Sequence, residues 1–216
     1  MSNVALVNSL TGLLILTSLL VIEVKRPRWS ALMYSLQSIV LVIIFVVLAY
    51  TNEAEQLYLW GISAFITKVV LVPWILYSAL TRVGDPEKPR NVIGTTLSFF
   101  LAAIALTVSF VVVNQIQLKA AEPFKPALAV SMAHFFFGVL CILTQRNLFK
   151  QVLGFCLMEN GSHLTLALLA YNAPELVEIG IATDAVFAVV IMIALGNQIY
   201  KKLGTLDTSD LTTLKG

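Results

Sequence analysis

The hydrophobic pattern of the chain consists of seven long apolar runs separated by short polar connections. About 20 apolar residues, each adding about 1.5 Å of helix, cross a hydrocarbon layer about 30 Å thick. The runs are rich in Leu, Ile, Val and Phe and lack the strict alternation of β-barrel strands. The pattern therefore predicts an all-α, polytopic membrane helix bundle with about seven transmembrane helices. The predicted spans are residues 3–23, 29–51, 57–80, 92–114, 126–145, 149–172 and 174–199.

The composition agrees with membrane insertion and excludes several classes of protein. Hydrophobic residues make up 58% of the 216 positions and charged residues only 12%, whereas soluble domains average about 25% charged residues. A net charge of +2 without a basic face argues against nucleic-acid binding. Cys141 and Cys156 lie in apolar runs without metal-ligand spacing, and we expect both to be buried hydrophobic side chains. Catalytic, nucleotide and metal motifs do not occur, so the sequence predicts no catalytic centre, metal or cofactor in this chain.

Positively charged residues indicate which way the helices run. Eleven of the 14 Lys and Arg follow the first, third, fifth and seventh runs, and two lie in the opposite connections. Because cytoplasmic connections retain Lys and Arg, the N-terminus is predicted outside and the C-terminus in the cytoplasm. The first run has no preceding Lys or Arg and is longer than a signal-peptide core, so we expect it to remain as a spanning helix.

Five ionisable side chains interrupt the apolar runs. Counting residues places Lys68, Glu159 and Asp184 about 15 to 17 Å deep, near the middle of the membrane. His134 and His163 are predicted somewhat toward the outer side. A charge at such a depth costs about 2.5 to 3.5 kcal/mol. We therefore predict that these residues line a proton or ion pathway, and the alternative is that they form buried polar contacts that only fix helix packing.

Two local features support the pathway interpretation. Glu159 and His163 are four residues apart, which places them on one helix face. Carboxyl groups removed from water bind protons more readily, and neighbouring acids and histidines can pass protons along a hydrated chain. In the third run, Pro73 crowds the carbonyl group of Val69, which predicts a kink beside Lys68.

Five long strings in the sequence carry a resemblance to a known family. They are SAFITKVVLVPW (63–74), FKPALAV (124–130), GFCLMENGSHL (154–164), APELVEIGIATDA (173–185) and GTLDTSDLTTLKG (204–216). With these strings the chain resembles the hydrogenase-4 component E family of membrane subunits. A more distant similarity links the last three helices with small subunit K of respiratory complex I and with the C subunit of multisubunit cation/proton antiporters. The resemblance divides the chain into a four-helix membrane region (1–125), a three-helix region (126–200) and a short cytoplasmic tail (201–216).

The resemblance to subunit K also bears on the two carboxylates. The first membrane glutamate of that family falls on Cys156, so Glu159 stands three residues further along, which is about 4.5 Å of helix. The second family glutamate aligns with Asp184. The resemblance thus implies that Glu159 and Asp184 occupy approximately the positions of a proton-carrying pair.

The resemblance further implies the setting of the chain. The expected partners are antiporter-like membrane subunits, a membrane anchor subunit and a [NiFe] hydrogenase arm, with lipids around them in the bacterial inner membrane. A nickel-iron centre and iron-sulfur clusters are expected on those partner subunits. The leading hypothesis is a non-catalytic subunit of a hydrogenase-4 or formate hydrogenlyase-type complex that contributes to proton or Na⁺ translocation. The alternative is a non-conducting scaffold that joins the antiporter-like subunits.

Overall fold

A computed structural model describes residues 3–84, 92–116, 119–172 and 175–212. Seven segments in these ranges are helices that are long and apolar enough to cross a membrane, which confirms the predicted all-α membrane bundle. A short 3₁₀ helix, Lys119–Phe124, precedes the fifth of them. The helices are α1 (Asn3–Glu23), α2 (Pro27–Asn52), α3 (Gln56–Val83), α4 (Thr95–Gln115), α5 (Lys125–Thr144), α6 (Leu148–Leu169) and α7 (Glu175–Leu203).

Helix α3 is irregular at its centre. It is α-helical over Gln56–Ala64, π-helical over Phe65–Leu71 and α-helical again over Val72–Val83. The kink predicted beside Pro73 stays a prediction, and what the structure shows there is a π-helical segment that contains Lys68. Such wide turns occur where the regular hydrogen-bond ladder is interrupted.

Helices α1, α2, α5 and α6 form the centre of the bundle. Helix α2 packs against α1, α3 and α6, and α5 packs against α1, α4 and α6. Helix α4 buries a single stripe, Ser98, Ala102, Ser109 and Val113, against α5. Helix α7 buries Ala185, Val189 and Ile193, four residues apart, against the neighbouring α3 and α6. Most of the other exposed residues that the structure describes on α4 and α7 are apolar, as expected for surfaces that contact lipid or partner subunits.

Glycines allow α5 and α6 to approach to backbone contact. A Cβ atom added at Gly138 would lie 2.3 Å from the Met158 amide nitrogen, and one added at Gly161 would lie 2.5 Å from the Phe135 amide nitrogen. Small residues at helix interfaces are typical of membrane bundles, because close packing replaces the hydrophobic drive that lipid cannot supply. The contact fixes α6, and with it Glu159 and Asn160, rigidly against α5.

The buried apolar residues form two clusters that a polar layer separates. One cluster contains Leu14, Ala64 and Leu164, and the other contains Val21, Val72 and Leu157. Along α1, α2, α3 and α6 a buried polar residue lies between the two clusters. These residues are Ser18, Gln37, Lys68 and Asn160.

The tail after α7 folds back onto the turn between α5 and α6. The Leu148 amide donates to the Leu206 carbonyl, and the Thr208 amide donates to the Arg146 carbonyl. Asn147 caps α6, because its side-chain oxygen accepts hydrogen bonds from the backbone amides of Phe149 and Lys150. Several residues that supported the predicted orientation, Lys88, Arg90 and Lys215, lie outside the described ranges. The orientation of the termini stays a prediction.

Candidate functional site

The polar layer is centred on Lys68, near the middle of the bundle. Lys68 is the thirteenth residue of the 28 in α3, and Glu159 is the twelfth of the 22 in α6. His134 is the tenth of the 20 residues in α5. Each of the three ionisable groups therefore lies near the middle of its helix, and their depths in the membrane stay a prediction.

Lys68 and Glu159 form a buried ion pair. The Lys68 Nζ donates to Glu159 Oε1 at 2.5 Å and to Asn160 Oδ1 at 2.8 Å. The Lys68 side chain is 1% exposed and the Glu159 side chain 15%. Lys68 is thus enclosed by the chain, whereas Glu159 keeps a small exposed surface.

A chain of hydrogen bonds continues from Lys68 into the bundle. Asn160 Nδ2 donates to Gln37 Oε1 at 2.9 Å, and Gln37 Nε2 donates to His134 Nε2 at 3.3 Å. His134 Nδ1 and the Ser18 hydroxyl are 2.8 Å apart. Ser18 in turn donates to the Leu14 carbonyl. The chain therefore joins residues from five helices, α1, α2, α3, α5 and α6.

The direction of this hydrogen-bond chain follows from the ammonium group at its end. Protonated Lys68 can only donate, so Asn160 must present its carbonyl oxygen to Lys68 and its NH₂ group to Gln37. Gln37 must then accept from Asn160 and donate to His134. His134 accepts at Nε2, so it is neutral and carries its proton on Nδ1.

His163 lies beyond this chain, one turn further along α6. It is 1% exposed and packs between two aromatic rings, Phe45 with ring centroids 4.9 Å apart and Trp60 with centroids 5.5 Å apart. Its position on the face of Glu159 agrees with their spacing of four residues.

Asp184 lies apart from the Lys68 network. It is exposed on α7, next to the buried stripe that begins at Ala185. Among the described residues, no hydrogen bond or ion pair joins Asp184 to Lys68 or Glu159. The structure therefore brings together Lys68, Glu159 and His134, places His163 beside them, and leaves Asp184 on the surface of the isolated chain.

The most important members that sequence reasoning missed are the amides. From the sequence, Asn160 is only a polar neighbour of Glu159, and neither Gln37 nor Ser18 is predicted as part of the site. The sequence signal that could have revealed the network is Gln37 itself, an amide side chain in the middle of a largely apolar run. The structure shows this side chain to be fully buried. Burial of an amide without partners costs several kcal/mol, so a membrane-embedded Gln indicates a hydrogen-bond network.

The ion pair can exchange a proton internally. A proton that moves from the Lys68 ammonium to the Glu159 carboxylate converts a charged pair into a neutral one. The amides of Asn160 and Gln37 orient their neighbours through hydrogen bonds, but an amide group does not readily bind or release a proton. His134 is therefore separated from the ion pair by two groups that do not relay protons.

The described residues offer few ligands for a metal ion. Within the described ranges, no group of three or more His, Cys, Asp or Glu is placed to hold a metal ion. Cys141 and Cys156 are both buried free thiols, as predicted from their apolar surroundings.

Comparisons with known proteins identify the family of the chain. Residues 126–216, which contain α5, α6 and α7, match the family described as NADH-ubiquinone/plastoquinone oxidoreductase chain 4L. The chain is 50% identical to "Hydrogenase-4 component E" of Escherichia coli (strain K12) and of Shigella flexneri, over 100% of this chain and 100% of each relative. It is 23% identical to an uncharacterised protein of Mycobacterium tuberculosis, over 97% of this chain and 96% of the relative. No solved structure matches the chain significantly. The chain therefore belongs to the hydrogenase-4 component E family and is a multi-pass membrane subunit of a hydrogenase complex.

Proposed function

We propose that this subunit contributes a proton translocation step, or the corresponding Na⁺ step, to a hydrogenase-4 or formate hydrogenlyase-type complex of the bacterial inner membrane. The redox chemistry takes place on partner subunits, which carry the nickel-iron centre and the iron-sulfur clusters. The partners are the [NiFe] hydrogenase arm, a membrane anchor subunit and antiporter-like membrane subunits. The chain itself supplies the residues that bind and release the ion.

The observation that supports this proposal most strongly is the ion pair between Lys68 and Glu159 in the middle of the bundle. Removing two charges from water costs several kcal/mol for each, and a well-packed apolar pair is often equally stable. An ion pair at this depth is therefore an expensive way to hold two helices together. This cost is explained if one group of the pair changes its protonation state during turnover.

The proposed step begins with the pair charged and ends with it neutral. A proton passes from Lys68 Nζ to Glu159, whose side chain retains 15% exposure. Glu159 then releases the proton to one side of the membrane, and a second proton, which enters from the other side by way of Glu159, passes to Lys68 and restores the pair. His163 on the same face of α6 and Asp184 on α7 extend the path, with Asp184 facing a partner subunit in the assembled complex. A carboxylate exposed on a spanning helix needs such a partner, because lipid does not solvate it.

The energy for this step comes from the partners. Moving one charge against 100 mV requires about 2.3 kcal/mol. The sequence contains no nucleotide-binding motif that would supply it. Coupling therefore requires that a redox-driven change in a partner subunit alters the surroundings of Lys68 or Glu159.

The decisive experiment measures protons moved per hydrogen molecule turned over, with the complete complex in sealed vesicles. We expect Glu159→Gln to leave assembly and hydrogen chemistry intact and to lower the proton count by at least one per turnover. Glu55→Gln, which removes an exposed carboxylate at the start of α3, is the matched control and should leave the ratio unchanged. An unaltered ratio in Glu159→Gln contradicts the proposal. A protonophore and a Na⁺ ionophore, added separately, distinguish the two ions.

The second candidate function is a scaffold that joins membrane subunits and conducts nothing. It is favoured by the exposed apolar faces of α4 and α7, which include Phe100 at 61% exposure and Phe187 at 62%. This function predicts normal translocation in Glu159→Gln and in Asp184→Asn, provided that each variant assembles. Substitutions on the α4 face would instead release partner subunits from the complex.

A further inference from the structure

A groove of about 640 Å³ opens to the surface of the bundle between α2 and α3. One wall is the first two turns of α2, and the other is the part of α3 that follows the π-helical segment. Arg26 and Arg28 lie at one end of the groove, and Ser35 lies at the other. Ser35 follows Arg28 by seven positions, which is about 10 Å along the helix, toward the middle of the membrane.

The basic end of the groove is suited to an anion. Neither Arg26 nor Arg28 forms an ion pair with a carboxylate in the described part of the chain. The Arg28 guanidinium lies over the Tyr77 ring, 5.2 Å from its centroid, and its Nε is buried without a hydrogen-bond partner. No side chain caps the N-terminus of α2, which begins at Pro27. A helix N-terminus carries partial positive charge and unpaired amides, so it adds to the attraction of the two guanidinium groups.

The rest of the groove is apolar and aromatic. Trp29 and Leu32 on α2 are 55% and 51% exposed, and Trp74 on α3 is 65% exposed. Trp side chains are enriched where the headgroup region of a membrane meets its hydrocarbon core. The groove therefore combines an anion site at headgroup level with an apolar channel that leads deeper into the bilayer.

We propose that this groove is a binding site for one anionic phospholipid. The phosphate group lies between Arg26 and Arg28 at the start of α2, and one acyl chain follows the groove along Leu32 and Trp74. Basic pockets between spanning helices bind phospholipid headgroups in this way. The deep end of the groove touches the functional region, since Ser35 donates to the carbonyl of Val69, the residue after Lys68. Occupancy would therefore stabilise the packing of α2 against the π-helical segment.

Tryptophan fluorescence tests the site, because the chain has only three Trp. Trp29 and Trp74 line the groove, whereas Trp60 is fully buried. Brominated phosphatidylglycerol added to the full chain in neutral detergent should quench fluorescence saturably, and unbrominated phosphatidylglycerol should reverse the quenching. Brominated phosphatidylcholine should quench weakly and without saturation. Trp74→Phe should remove a large part of the quenched signal.

The matched charge variants decide whether the arginines hold the headgroup. Each basic residue near a headgroup contributes on the order of fivefold to affinity. The double variant Arg26→Gln with Arg28→Gln should therefore need a lipid concentration roughly thirtyfold higher for half-maximal quenching. Lys201→Gln with Lys202→Gln removes the same charge at the same end of the bundle, outside the groove, and should have little effect. Equal quenching by both brominated lipids, or no change in the arginine variant, would mean a general lipid shell and would overturn the proposal.

A crosslinking experiment checks the occupant in the assembled complex. A benzophenone amino acid at position 32, in the apolar wall, should yield an adduct of phospholipid mass after irradiation of native membranes. An adduct of protein size would show that a partner subunit fills the groove, and it would overturn the assignment to a lipid.

Discussion

The protonation state of Lys68 governs the hydrogen bonds around it. While Lys68 is an ammonium group it only donates, and this fixes the orientation of Asn160, Gln37 and the proton on His134. A neutral amine can also accept, so loss of the proton would remove the constraint on the whole chain. Hydrogen bonds arranged in one direction strengthen one another in a low-dielectric interior. The direction of the whole chain of hydrogen bonds is therefore set at Lys68.

A double-mutant cycle tests whether the pair behaves as a buried pair of charges. Lys68→Met leaves the Glu159 carboxyl group without its cation and is expected to cost about 3 to 5 kcal/mol. Lys68→Met combined with Glu159→Leu should recover most of this loss, since no charge then stays buried. Thermal unfolding of the purified chain in detergent measures both effects.

An exposed ion pair provides the control for this cycle. Lys125 and Glu122 lie 3.3 Å apart, with side chains 27% and 68% exposed. Lys125→Met should cost less than about 1 kcal/mol, as is usual for exposed pairs. Additive losses in the cycle between Lys68 and Glu159 would show that the two residues do not depend on each other.

At the scale of helices, the contact between α5 and α6 holds the site in position. Helix α5 supplies His134, and α6 supplies Glu159, Asn160 and His163. Their backbones touch at Gly138 and Gly161, where no room exists for a Cβ atom. Helices α1 and α2 pack against this pair, and α3 packs against α2.

Substitution of one interfacial glycine should separate these two helices. Gly161→Ala places a methyl group 2.5 Å from the Phe135 amide nitrogen, and overpacking of this kind costs about 1 to 3 kcal/mol. A fluorogenic maleimide reports the loss directly, because Cys141 on α5 and Cys156 on α6 are buried thiols that react once the helices part. The midpoint of labelling should fall to lower temperature.

The control for this substitution lies on α1. Gly12 has no atom within 4 Å of an added Cβ, so Gly12→Ala should leave the labelling midpoint unchanged or raise it slightly through better helix propensity. If Gly161→Ala behaved like Gly12→Ala, the close contact between α5 and α6 would be disproved.

At the scale of the whole molecule, the helices of the bundle follow from hydrophobicity, whereas the contacts within the site depend on how each helix is rotated about its own axis. The seven spans and the position of Lys68 and Glu159 near the middle of their helices were predictable, because run length and residue counting need no knowledge of neighbours. The partners of Lys68 were not predictable, since Asn160 meets Lys68 and Gln37 only when three helices adopt one particular set of rotations. The π-helical segment was anticipated from Pro73 only as a kink. The role of Asp184 depends on surfaces outside this chain.

The predicted orientation gives a further test at this scale. Positive residues concentrate at the end of the bundle that carries the C-terminus, which predicts a cytoplasmic C-terminus. Green fluorescent protein fused after Gly216 should therefore fluoresce, and alkaline phosphatase fused at the same position should be inactive. Active phosphatase at the C-terminus would reverse the orientation and the assignment of both ends of the pathway.

The central claim is that Glu159 gains and loses a proton during turnover. Infrared difference spectra between the resting complex and the complex turning over hydrogen detect protonation of a buried carboxyl group through its carbonyl stretch. We predict such a band in the unmodified complex and in Glu55→Gln, and its loss in Glu159→Gln. A band that persists unchanged in Glu159→Gln, or no carboxyl band at all during turnover, would contradict the account.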